Sequence, residues 1–239
     1  MCYHESVPAK DKIKKVYNWA ELSDSWENDQ HHITGFSHKK TPVITTENPH
    51  KIDLFSWGLI PKWVKDEKQA KELRIQTLNA KSETVFEKPS FRSSIGKKRC
   101  LVIVDGFYEW RDYNKVKYPY FIFLRGKDAF SLGGIYEEWA NRETGEIINS
   151  FVIVTTEANP LMAKIHNSKL RMPLILSKEM EEQWLNPELP KEQIQTIMKP
   201  FNQDEMDAHT ISKLITSRKE NSNVPAVKEP FTFPELAEL

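Results

Sequence analysis

Four residues of this 239-residue chain could do chemistry together if folding gathers them: Cys2, Asn79, Glu109 and His166. Cys2 follows Met1 directly, so removal of Met1 leaves a cysteine with a free α-amine and a thiol on adjacent carbons. Such a pair captures an aldehyde in two steps. The amine condenses to a Schiff base, and the thiolate then closes a five-membered thiazolidine ring. An α-amino group titrates near ~7.8 and a lysine near ~10.4, so the terminal amine has a neutral fraction at pH 7 roughly a few hundred times larger. The thiol, near ~8.5, is expected to be partly ionised and to need only modest help. The alternative is that Cys2 is an incidental residue of a frayed terminus. Glu109 sits between Tyr108 and Trp110. Enclosed by those rings its carboxylate would be disfavoured, raising its pKa toward acid/base use; on an open strand face it is an ordinary solvent-facing glutamate. His166, in Ile165-His166-Asn167, is either a proton donor at a helix end or a structural histidine. The Asn79 amide could orient a substrate or the terminal amine, or simply form a turn.

The elements that must position these residues can be read from periodicity. Ile13, Val16, Tyr17 and Ala20 have helical spacing, which predicts an amphipathic helix over residues 11–22. Pro42–Thr46 and Asp53–Ile60 read as strands, the second ended by Pro61. Lys65–Arg74 reads as a surface helix, and Gln76–Ala80 as extended chain before a short helical stretch at Ser82 and Glu83. Arg99–Trp110 is the strongest strand signal. Gly106 can allow a bulge in it, and a polar turn near Asp112–Lys115 returns the chain as Lys117–Leu124, a hairpin. Ala129–Tyr136 and Ile147–Thr156 add antiparallel sheet around a polar loop at 141–145. Asn159-Pro160 opens a helix ending at His166, Met172–Leu176 is a strand, and Ser177 caps a helix to Trp184. The expected fold class is α+β: a single domain with a mainly antiparallel, barrel-like β core flanked by helices.

Composition narrows the partners. Lys+Arg and Asp+Glu are both 34, so no global charge draws the chain to nucleic acid or membrane, and any polyanion site must be a local patch. Candidate patches are Trp57, Lys62, Trp63 and Lys65, and Arg92, Lys97, Lys98 and Arg99; an exposed Trp63 could stack on a base. Two cysteines are too few for a disulfide framework or zinc cluster, which makes a reducing, cytoplasmic setting the default, nucleoid-associated in a bacterium. No stretch approaches eighteen apolar residues, so no membrane role is expected. No partners converge on His31, His32 and His38, and no metal or cofactor is assigned. Repeats, glycine-rich phosphate loops and HExxH or CxxC motifs are absent from the sequence.

Several segments together resemble the SRAP family, the SOS-response-associated peptidase or abasic-site-processing proteins. They are Met1-Cys2, Phe55–Pro61, Asn79-Ala80-Lys81-Ser82-Glu83-Thr84, Lys88-Pro89-Ser90-Phe91-Arg92, Asp105–Trp110, His166 and Arg171-Met172-Pro173. The resemblance implies one domain over residues 1–220, with 221–239 a tail that wraps the surface or is loose. It implies a monomer whose partner is single-stranded DNA containing abasic sites, and a Cys2 that crosslinks to the ring-opened lesion as a thiazolidine, shielding it. Cleavage of Met1 by the protein itself and AP-lyase-like strand cleavage by β-elimination are activities it allows. In these terms Cys2 is nucleophile, Asn79 positions the amine and substrate, Glu109 shuttles protons and His166 assists sugar-ring opening. His4, Trp63, Lys81, Arg92 and Arg171 fall at DNA-contact positions. The chain departs from the family where Met-Cys-Gly-Arg becomes Met1-Cys2-Tyr3-His4 and Asn-Ala-Arg becomes Asn79-Ala80-Lys81. Asn167-Ser168-Lys169-Leu170 stretches the His to Arg-Met-Pro spacing, and the family's Tyr-Asn-x-Ala-Pro segment is not recognisable near 33–36. Two rival readings of the residues remain: a cysteine-dependent hydrolase or autopeptidase with Cys2 as nucleophile, and a noncovalent nucleic-acid-binding module.

Overall fold

The apolar run that begins at Arg99 turns a corner at Asp105, and that corner organises the molecule. A computed structural model, which describes residues 2–23 and 30–236, divides the run into two strands of different sheets. In chain order the elements are β1 (His4–Val7), α1 (Lys10–Val16), β2 (Glu21–Leu22), β3 (Gln30–Thr34), β4 (Lys40–Thr45), β5 (Lys51–Trp57), α2 (Glu67–Gln76), β6 (Asn79–Lys81), β7 (Arg99–Val104), β8 (Gly106–Tyr113) and β9 (Val116–Leu124). There follow β10 (Phe130–Ala140), β11 (Ile147–Glu157), α3 (Pro160–Ile165), β12 (Arg171–Pro173), β13 (Ile175–Leu176), α4 (Lys178–Trp184), α5 (Lys191–Ile197) and β14 (Met206–Thr210).

Strands β5, β4, β7, β10 and β11 pair in sequence, and a parallel β11–β5 contact, Ser150 to Ser56 and Phe151 to Trp57, closes them into a mixed five-strand barrel. The second sheet, β14-β9-β8-β1-β3, is antiparallel throughout. The α+β class and barrel-like core follow the sequence reading. Every β7 residue from Arg99 to Val104 is buried, so the strand reads as a continuous apolar run rather than an alternating one. Gly106 is required because a Cβ there would lie 2.3 Å from the Phe121 ring. Helix α3 starts as expected: the Asn159 side chain accepts from the Met162 N–H and Pro160 opens the helix.

Three further sequence expectations shift. Helix α1 ends at Val16, because Tyr17 and Ala20 pack in a turn that leads into β2. Residues 82–97 form successive turns, not a helix. The strand expected at 172–176 is broken at Leu174 into β12 and β13, which pair with β11 and β10 respectively. The β1, α5 and β14 segments carry too little period for the sequence to reveal. Residues 221–236 run back along the second sheet: Val227 is buried, Ile211 bridges Pro230, and Lys228 Nζ meets Asp105 at 2.5 Å. Among the described residues no helix is long and apolar enough to cross a membrane.

Candidate active site

Cys2 is held, not frayed, because the strand that follows it is central in its sheet. β1 lies between β3 and β8, the Gly35 N–H donates to the Tyr3 carbonyl at 2.9 Å, and Asn79 Nδ2 donates to the Cys2 carbonyl at 2.8 Å. The Cys2 side chain is fully buried, with its thiol 3.6 Å from the His4 carbonyl. Burial, followed by the charges of Glu109 and Glu5, pushes the thiol well above its ordinary range. This corrects the expectation of a partly ionised thiol: the sulfur is protonated at neutral pH, and ring closure needs a base. Asn79 Oδ1 is buried and makes no hydrogen bond among the described residues, a deficiency worth about 1–3 kcal/mol. One end of this amide fixes Cys2; the other is ready to accept.

Glu109, on β8, lines a cavity of about 540 Å³ together with Tyr3, His4, Trp110 and His166. Its carboxyl is buried, and desolvation pushes it up to about 7. Of the two rings expected to enclose it, Trp110 lines the same cavity, whereas Tyr108 packs in a separate cluster with Phe121, Ile211, Ile215 and Val227. Near neutral pH the group exists as acid and carboxylate in comparable amounts. His166 caps the end of α3 and brings Nε2 to 3.8 Å from Glu109 Oε2. Its Nδ1 lies 2.9 Å from the Arg171 carbonyl, which can only accept, so Nδ1 carries the proton and Nε2 presents a lone pair to Glu109. Desolvation lowers this imidazole to about 4, so it rests neutral. The expected proton donor is thus an acceptor at rest. The pair can pass one proton between carboxyl and imidazole.

The five DNA-contact candidates separate into different surroundings. His4 lines the cavity, packs edge-on against Trp110 at 4.7 Å and is pushed down to about 3, chiefly by burial, so it offers no cation. Trp63 is 46% exposed and its indole N–H donates to the Pro89 carbonyl at 3.2 Å, beside the turn that carries the exposed Arg92. Lys81 is exposed at the end of β6. Arg171 is committed elsewhere: both guanidinium ends meet the Glu83 carboxylate, and Nη2 also donates to the Thr155 carbonyl at 2.6 Å. Of the five, only His4 lines the cavity beside Glu109. The two basic-aromatic clusters persist in part, since Lys62, Trp63 and Lys65, and Arg92 and Lys97, are exposed while their other members are not. Trp57 is buried with its N–H on the Leu78 carbonyl, Arg99 is buried with its guanidinium on the carbonyls of Trp184, Ile95, Gly96 and Asn186, and Lys98 pairs with Glu137.

Comparison with known proteins decides the family. The model of the family described as SOS response associated peptidase (SRAP) matches residues 1–218. The chain belongs to the SRAP family. This SRAP chain is 39% identical over 214 residues to the abasic site processing protein YoqW of Bacillus subtilis, covering 89% of this chain and 92% of the relative. It is 29% identical over 232 residues to the abasic site processing protein HMCES of Xenopus tropicalis, covering 89% of this chain and 65% of that one. A crystal structure of a Bacteroides thetaiotaomicron protein superposes with a TM-score of 0.89 at 41% identity, covering 97% of this chain and all of that one. Three features around the cavity escaped the sequence reading. Glu5 is fully buried and acts on the Cys2 thiol. His32 and Ser222 form a chain behind His4, and Lys117 and Lys213 rim the cavity. Each depends on strand pairing or a turn far along the chain, for which no local signal exists.

Proposed function

We propose that the chain recognises abasic sites in single-stranded DNA and, once Met1 is removed, forms a covalent thiazolidine crosslink through Cys2 that shields the lesion. The observation that carries this reading is a terminal cysteine fixed in a sheet beside a buried Glu109–His166 proton pair, next to an open cavity. The printed names of the relatives, abasic site processing proteins, support it. The lesion interconverts between a closed sugar and an aldehyde. His166, accepting at Nε2, takes the C1′ hydroxyl proton as the C1′–O4′ bond breaks and returns it to O4′, which leaves as the 4′-hydroxyl. The Glu109 carboxylate accepts a proton from the Cys2 α-ammonium, and the neutral amine attacks C1′ while Asn79 Oδ1 holds its remaining N–H. The carbinolamine hydroxyl, protonated by Glu109, leaves as water. The thiol then yields its proton to the regenerated carboxylate and sulfur bonds to C1′ of the protonated imine, which leaves a neutral ring nitrogen and the proton on Glu109. Trp63, Lys81 and Arg92 offer an aromatic platform and two exposed cations for DNA on the outer surface. An imine at C1′ acidifies the neighbouring carbon, so strand cleavage by β-elimination is a side reaction of the same intermediate.

The test mixes purified protein with single-stranded oligonucleotides carrying an abasic or an intact site. A heat-stable, abasic-dependent adduct that is lost in Cys2→Ala is expected, from protein whose intact mass lacks Met1. Correctly processed wild type that yields no adduct would refute the reading; Met1 removal without any adduct would instead favour the autopeptidase.

A further inference from the structure

Behind the cavity wall stands a chain of three side chains that the proposed reaction does not use. His4 Nδ1 lies 2.8 Å from His32 Nε2, and His32 Nδ1 lies 2.7 Å from Ser222 Oγ. The two imidazoles stack, with centroids 5.1 Å apart and planes 18° from parallel. The far end is tied down, since the His32 backbone N–H donates to Asn223 Oδ1 at 3.2 Å and Asn223 Nδ2 donates to Gln30 Oε1 at 3.1 Å. Ser222 and Asn223 lie beyond residue 218, where the family match ends. Ser222 is partly exposed, while His4 lines the same cavity as Glu109 and His166.

We propose that His4, His32 and Ser222 form a proton relay that makes His4 a further acid/base group of the pocket, replenished from solvent through the C-terminal segment. This rests on the crosslinking reaction proposed above. Two neutral imidazoles joined by one hydrogen bond have two self-consistent arrangements. In one, Ser222 donates to His32 Nδ1, His32 Nε2–H donates to His4 Nδ1, and His4 offers Nε2–H to the cavity. In the other, every proton is displaced by one position and His4 offers a lone pair. Burial keeps both rings neutral at physiological pH, His4 at about 3 and His32 at about 4, so both arrangements are accessible. When His4 Nε2–H takes the place of Glu109 in protonating the departing carbinolamine hydroxyl, the C–O electron pair leaves with water, and Glu109 returns its own proton to solvent and is again free to take that of the thiol. The His32 Nε2 proton moves to His4 Nδ1, the Ser222 proton moves to His32 Nδ1, and bulk water supplies one proton to Ser222 Oγ. Charge and protons balance, and each imidazole ends neutral.

The relay is tested by single-turnover adduct formation at saturating abasic oligonucleotide, with DNA affinity measured separately. His4→Ala is expected to slow the adduct step by ~10-fold or more with affinity within about twofold, in the range of lost general acid–base catalysis. Added imidazole should restore much of that loss, which a merely structural defect would not allow. His32→Gln and Ser222→Ala should slow the step by a few fold and reduce its solvent deuterium isotope effect. His4→Gln keeps a hydrogen bond toward His32 but cannot relay, and serves where the alanine variant does not fold. Adduct formation in both His4 variants within about twofold of wild type overturns the relay, as does a loss unmoved by imidazole. Wild type that forms no adduct at all overturns the crosslinking reading beneath it.

Discussion

Replacing Glu109 by glutamine tests the centre of the proposed chemistry, because the group's position on the pH scale sets a number in advance. With a buried carboxyl pushed up to about 7, the carboxylate fraction is about one tenth at pH 6 and about nine tenths at pH 8. If the carboxylate accepts the ammonium proton, the wild-type adduct rate should rise roughly ninefold over that interval from this group alone. Ionisation of the α-amine, near ~7.8, adds its own increase in the same direction. Glu109→Gln keeps shape and burial but accepts no proton, so it should lower the rate by roughly 10²–10⁴ and remove the ninefold component. The assay is adduct formation at saturating abasic oligonucleotide, followed on denaturing gels between pH 5.5 and 8.5. A second readout separates chemistry from collapse. The Glu109 charge is one of two that hold the Cys2 thiol protonated, so the variant should lower the thiol pKa even as adduct formation slows. A variant that crosslinks within threefold of wild type, or that keeps the full pH slope, would refute the reasoning.

Three other outcomes follow from the structure. Glu5 is fully buried and desolvation raises it from 4.5 to about 8; both of its oxygens and the nearby Thr41 hydroxyl lack a hydrogen bond of normal geometry. The folded state therefore binds the extra proton, so its stability is fully present below pH 4.5 and is lost as pH rises through 8, by roughly 5 kcal/mol in all. Urea unfolding at pH 5 and 8.5 should show Glu5→Gln without that loss; parallel pH profiles for the two proteins would exclude it. Gly106→Ala drives a methyl into the Phe121 ring and should cost about 1–3 kcal/mol or more, read as a lower Tm, with adduct formation impaired because Glu109 follows on the same strand. Neutralising Lys81 should reduce the slope of log affinity against log salt by about 0.7, whereas Arg171→Gln should leave it unchanged because Glu83 already neutralises that guanidinium. Equal slope changes at both positions would return Arg171 to the DNA surface.

The barrel and the candidate residues of the pocket are legible in the sequence, but the sheet that brings those residues together is not. β7, β10 and β11 are long and strongly apolar, so their periodicity carries them. Strand β1 is four residues long and includes a buried glutamate, and nothing in His4-Glu5-Ser6-Val7 marks a central strand; its position comes from pairing with β8, 100 residues away. The raised Glu109 could be anticipated from flanking rings, yet the raised Cys2 thiol could not, because its causes include Glu5, whose burial only the fold reveals. Placing Arg99 in a surface cluster fails for the same reason. Arg99 belongs to a buried strand, and its neighbours in sequence face other directions.

The protonation states together impose an order on the proposed reaction. At neutral pH Cys2 rests as a thiol, Glu5 as an acid, His166 and His4 as neutral imidazoles, and Glu109 is balanced between its forms. A thiol in that setting is a poor first nucleophile, and the adjacent amine is not. Once the amine has condensed with the aldehyde, a protonated imine places a positive charge about 4 Å from the sulfur and near Glu109. At an effective dielectric of about 20 that charge is worth about 4 kcal/mol, equivalent to about three pKa units on the thiol. That shift opposes the burial that suppresses ionisation beforehand. Burial therefore keeps the sulfur protonated while the neutral amine attacks, and the protonated imine restores beside it the charge the amine gave up, which favours the second bond.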